Sequence, residues 1–187
     1  MIERRLLENG WHHFKTITQH KCVVMKECFA VGLYKQGLLH DLSKYTPEEF
    51  LTGIRYYQGT RSPNAAEKEA LGYSRAWLHH KGRNKHHYEY WIDLDVDKSQ
   101  GLKGMKMPVN YVVEIFLDRV AASKTYNKGH YQDRDSLDYY KKSRQFMTIH
   151  PDSRKLLERL LVMLSRYGEK KTMWYIKHVV LTGKYKY

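Results

Sequence analysis

Apolar residues in the first part of the chain recur at three- and four-residue intervals. Ile17, Val24 and Val31, with Met25, Cys28 and Phe29, draw a stripe along one side of a helix. Residues 2–9 and 13–35 are therefore expected to be helical, with Trp11 near the join. Gly37 is expected to separate this segment from a short helix carrying His40 and Asp41. Thr46-Pro47-Glu48-Glu49 reads as a helix start, with Thr46 as N-cap, Pro47 in the first position and Glu49 closing a capping box. The helix it opens runs to about Tyr57 and carries Phe50, Leu51 and Ile54 on one side. After a loop over 58–64, residues 65–78 return to helical composition, and Gly82 stops that helix just past His79 and His80.

Residues 92–107 hold three aspartates, several lysines and two glycines, the pattern of an exposed excursion or lid. Pro108 then opens a segment, 109–126, that is apolar on nearly all sides and so predicts a buried central helix. A polar turn over 127–134 leads to a short helix, 135–146. Pro151-Asp152 starts another, whose Leu157, Leu160, Leu161 and Leu164 keep helical spacing until Gly168. Trp174, Ile176, Val179 and Val180 complete the bundle. No strand pair stands out, so the expected fold class is all-α, one helical domain over 1–187.

Composition narrows the function classes. A net charge of +13 favours phosphate-bearing partners and would steer anions toward a cleft. Cys22 and Cys28, six apart on one helix, face different directions, which argues against a disulfide and for a reducing, cytoplasmic setting. The N-terminus lacks the apolar run of a secretory signal, and no window reaches the roughly 18 apolar residues of a membrane span. No membrane partner is expected, and the sequence carries no sign of oligomeric state.

The candidate chemistry centres on Gly37-Leu38-Leu39-His40-Asp41-Leu42-Ser43-Lys44. An imidazole and a carboxylate stand side by side there, with a lysine three residues on. His20 lies upstream, Asp118 sits within the apolar helix, and His79, His80, His86 and His87 place four histidines in nine residues. Nitrogen and oxygen donors from separate segments are what a divalent transition metal requires. Each piece also has a plainer reading. His20 could be a boundary residue of the core, Asp118 a salt-bridge partner of Arg119 or Lys124, and Lys44 a partner of Asp41. The histidine cluster could be a basic aromatic loop.

Together, His20, His40-Asp41 with Lys44, and Asp118 in Phe116-Leu117-Asp118-Arg119-Val120-Ala121-Ala122 resemble the H…HD…D signature of the HD-domain superfamily of metal-dependent phosphohydrolases. The similarity spans about residues 15–126. It implies an HD-like helical bundle in which His20, His40, Asp41 and Asp118 hold one metal and Asp41 bridges to a second. Ligands for the second ion would come from His80 and His87, then His86, with His79 behind them. The ions would be Fe, Mn, Co, Ni or Zn, one or two in number. Asp41 and Lys44 would serve catalysis, and Lys44, Arg83, Lys85 and Lys124 are candidate contacts to the substrate, a nucleotide or other small phosphorylated compound. The same resemblance admits HD-like di-iron oxygenases. Charge and sixteen tyrosines also permit a non-enzymatic nucleic-acid binder.

Overall fold

The computed structural model describes residues 2–127 and 129–187, with side chains from residue 5 onward. It is all-α apart from one two-stranded hairpin. Helix α1 (Ile2–Val31) is continuous where the sequence predicted a join near Trp11. Gly10 does not break it and sits against Ile54, whose Cδ1 would meet a Cβ there at ordinary contact distance. The helix stops at Gly32, whose positive φ lets Leu33 N–H reach back to the Cys28 carbonyl at 2.8 Å, closing the last turn. Phe29, assigned to the apolar stripe, is instead partly exposed and packs edge-on against Tyr34. Cys22 is exposed, Cys28 is buried, and both are free thiols.

Helix α2 (Tyr34–Leu39) contains Gly37 rather than starting after it. That glycine is pressed on α1, where a Cβ would stand 3.0 Å from Cβ of Cys28. His40 and Asp41 therefore lie beyond the helix, at its junction with a 3₁₀ turn (Leu42–Tyr45), and not within it as expected.

Helix α3 (Pro47–Arg55) starts at Pro47 as the sequence predicts, but no capping box forms. The Thr46 hydroxyl donates to the Ser43 carbonyl at 2.6 Å, and Glu49 points away toward two histidines. The helix expected over 65–78 is two, α4 (Pro63–Leu71) and α5 (Arg75–Lys81). Gly72, at φ +82, ends the first, and the Ser74 hydroxyl accepts from Trp77 N–H to cap the second.

The excursion over 92–107 is ordered. Strands β1 (Ile92–Leu94) and β2 (Leu102–Gly104) pair antiparallel, Ile92 opposite Gly104 and Leu94 opposite Leu102. Gly104 is wedged against the backbone of 148–150, 2.7 Å from a built Cβ to His150 N, while Val96 at the tip is fully exposed. The tip stands in solvent.

Helix α6 (Val109–Asn127) is the central element the pattern predicted. Val112, Val113, Ile115, Phe116, Leu117, Val120 and Ala121 are all buried. It packs on α1 and on α8 (Pro151–Tyr175), whose Leu156, Leu157, Leu160, Leu161 and Leu164 close the core. Between them lies α7 (Asp135–Ser143), after the polar turn, of which Lys128 lies outside the described residues. Gly168 interrupts α8 at φ +80, where the sequence placed the end of that helix. The chain then continues into a π turn (Ile176–Val180) that returns Ile176 and Val180 to the core. No described helix is long and apolar enough to cross a membrane.

Candidate metal centre

The centre forms where α1, the α2 junction, the end of α5 and α6 converge. The junction is built locally. Lys21 of α1 donates to the carbonyls of Leu38 and His40, both at 2.8 Å, and so satisfies the exposed end of α2. Asp41 follows at φ +54, the one positive value among the described residues other than glycine. An aspartate tolerates this conformation better than most side chains, yet it costs about 1 kcal/mol or more.

The strained turn lets the two oxygens of Asp41 face different neighbours. Oδ2 lies 3.4 Å from Nε2 of His40 and 4.0 Å from Nε2 of His20. Oδ1 lies 3.3 Å from Nε2 of His80 and 3.4 Å from Nε2 of His86. Asp118, from the middle of α6, meets His20 at 2.9 Å and His40 at 3.6 Å. Two donor sets result, each with ligand atoms within 4.8 Å of one another: His20, His40, Asp41 and Asp118, and Asp41, His80, His86 and His87. Asp41 belongs to both.

Hydrogen bonds decide which ring nitrogens are free. His40 Nδ1 donates to Glu114 Oε1 at 3.0 Å, and His86 Nδ1 meets the same oxygen at 3.2 Å. His80 Nδ1 donates to Glu49 Oε2 at 2.8 Å, and His79 holds the other oxygen of Glu49 at 2.6 Å. Asn84 donates to the His80 carbonyl and to Ser43, bracing the loop that brings His86 and His87 in. With Nδ1 committed on His40, His80 and His86, their Nε2 atoms turn inward. Nε2 of His40, His86 and His87 and Oδ1 of Asp41 are buried without a hydrogen-bond partner. Each such orphan costs about 1–3 kcal/mol, and each of the four belongs to a donor set in which a cation would satisfy it. The residues therefore fit a metal ion. Glu114 also lies near His40 and His86 as a third potential donor group, but it meets their Nδ1 atoms, so its geometry is that of a residue orienting ligands.

Electrostatics run the same way. Burial would raise the Asp41 carboxyl, but His40, Lys44 and His80 outweigh it and hold the group well below the usual range. Asp118 is likewise held down against burial by hydrogen bonds from His20 and His40. Burial pulls the His40 imidazole down, yet Asp41, Asp118 and Glu114 together push it up to about 10. For His87 burial wins, reinforced by His86 and His80, and the ring stays neutral. Burial also lowers His20.

All seven residues expected to bind metal meet here. His79 lies behind His80 on Glu49, as expected. Lys44 reaches the centre, 2.6 Å from Asp41 Oδ2. The other basic candidates are engaged elsewhere. Lys124 is held by Glu27 and Glu169, both at 2.7 Å, while Arg83 reaches toward the His79 carbonyl and Lys85 lies over the Tyr90 ring. Nor does a salt bridge to Arg119 or Lys124 explain Asp118, because Arg119 sits over the Tyr140 ring and Lys124 is held by Glu27 and Glu169. Sequence reading missed Glu114, Glu49 and Asn84. Glu49 was masked by its place in an apparent capping box. Glu114, a carboxylate one turn before Asp118 in an apolar helix, carried the same signal as Asp118 itself.

No curated protein and no solved structure matches the chain. One family model matches residues 9–163, a span that includes every ligand candidate and both orienting carboxylates, and by that match the chain belongs to the family of unknown function DUF5662.

Proposed function

We propose that this protein is a metal-dependent phosphohydrolase, with two divalent ions sharing Asp41, acting on a nucleotide or another small phosphorylated compound. One observation carries the reading: buried, partnerless Nε2 atoms converge on a carboxylate whose two oxygens face separate donor sets. The resemblance of His20, His40-Asp41 and Asp118 to the HD-domain signature agrees with it. His20, His40, Asp41 and Asp118 would hold one ion, and His80, His86, His87 and Asp41 the other. Bound there, a divalent ion supplies a water of lowered pKa and polarises a phosphoryl oxygen. The nitrogen-rich set suits Fe, Mn, Co, Ni or Zn over Mg or Ca.

The protein's own residues do the rest. Glu114 and Glu49 keep the imidazoles in one tautomer and orientation, so the site is shaped before substrate arrives. Lys44 is the one candidate ammonium at the centre and only partly covered, where it can exchange Asp41 for a phosphate oxygen. A net charge of +13 raises the local concentration of anionic substrates.

The test is elemental analysis of protein purified without added metal, followed by phosphatase and phosphodiesterase assays with Mn, Co, Ni and Fe. Near two equivalents of metal and phosphate ester cleavage are expected, both lost in Asp41→Asn. Asn tolerates the left-handed conformation, so that variant removes charge with little backbone penalty. Bound iron with dioxygen-dependent turnover and no phosphate release would move the protein to the di-iron oxygenases. Salt-sensitive nucleic-acid binding that survives chelation, without turnover, would mark a non-enzymatic binder.

A further inference from the structure

Glu114 is almost fully buried on α6, one turn before Asp118. Its Oε1 is shared by His40 Nδ1 at 3.0 Å and His86 Nδ1 at 3.2 Å. These two rings belong to different donor sets, and their centroids are 4.5 Å apart. Glu49 is arranged otherwise. Its two oxygens go to His79 and His80, and of these only His80 belongs to a donor set, the second.

We propose that Glu114 is a positioning residue common to both ion sites, so that one carboxylate sets the affinity of both ions, whereas Glu49 governs the second site alone. This rests on the two-ion reading above. A carboxylate that accepts from Nδ1–H makes the opposite nitrogen a better donor to a metal and stops the ring from rotating. Because both bonds end on the same oxygen atom, neutralising or withdrawing that oxygen acts on both rings together. Any change there is felt on both sides of Asp41. Burial adds to the effect, since a displaced Glu114 carboxylate has no solvent to turn to.

The experiment is titration of the metal-free 187-residue chain with Co²⁺, followed by calorimetry and by the visible absorption of the bound ion. Glu114→Gln keeps the shape and removes the charge. It is expected to weaken both binding events by about 10- to 100-fold and to alter the absorption of both. Glu49→Gln is expected to weaken one event by a similar factor and leave the other within about two-fold. Should Glu114→Gln fail to fold by circular dichroism, Glu114→Asp, which keeps the charge but withdraws it by one methylene, carries the same expectation. Two ions bound by the parent protein, with Glu114 variants that weaken one event or neither, would overturn the shared role and leave the metal centre standing. A parent protein that binds a single ion would overturn the shared role too, and one that binds none would overturn the centre with it.

Discussion

Individual side chains show why adjacent histidine and aspartate are informative here. Asp41 reaches two sets of imidazoles from a backbone in the left-handed region, a conformation no spacing rule announces. His40 illustrates the cost of keeping such a site without an ion. Burial alone would leave the ring neutral, but Asp41, Asp118 and Glu114 push its pKa up to about 10, so at neutral pH it carries two protons. A metal must displace one of them. Metal affinity should therefore rise with pH between 6 and 8, with at least one proton released per protein. Calorimetry in buffers of different ionisation enthalpy checks this. An affinity that does not change with pH would contradict it. Glu27 offers a second pH test away from the ligands. Burial pushes its carboxyl up to about 7 in spite of the Lys124 ammonium. A folded pKa above the ordinary 4.5 means stability that is complete below 4.5 and lost as pH rises through 7. Urea unfolding of Glu27→Gln should thus gain on the parent protein between pH 5 and pH 8. An unchanged difference between the two would remove Glu27 from the account.

Among the elements, α1, the α2 junction, α5 with the loop after it, and α6 carry the ligand candidates, while α3 contributes Glu49 behind them. The all-round apolar character of α6 was plain in the residues, because a helix buried on every side leaves no polar face to hide it. Its two carboxylates were legible for the same reason, although only Asp118 was taken up. The joints were not legible. Gly37 reads as a break in the pattern and Gly53 as an ordinary helix position, yet each marks a close approach between elements. Gly53 is the tighter, since a Cβ there would run into the His13 ring. Gly53→Ala should push α3 off α1 and cost about 1–3 kcal/mol, read as a lower midpoint in chemical denaturation. His13 itself lies between Phe50 and Tyr57, so the crowding has no easy exit. A different property of glycine separates α4 from α5: Gly72 has open space around it and ends the helix through its positive φ, where composition alone would have continued.

For the molecule as a whole, a core of α1, α6 and α8 supports a polar centre that is unpaid for without a cation. Several buried donors and acceptors remain unsatisfied there, so occupancy should stabilise the fold. With free metal at 100 times its dissociation constant, linkage predicts about 2.7 kcal/mol per site. Thermal unfolding with Mn²⁺ and after chelation should differ accordingly, and Asp41→Asn should abolish the difference. Equal midpoints with and without metal would argue that nothing binds. The residue pattern by itself determined the helical class, the central apolar helix and the inventory of donors, because periodicity and residue chemistry are local properties. Tertiary structure alone decided which oxygen of Asp41 faces which histidines, that Glu49 and Glu114 bond to imidazoles, and that Lys124 is held by Glu27 and Glu169. Those outcomes depend on which side chains meet across distant segments, and no local spacing encodes that.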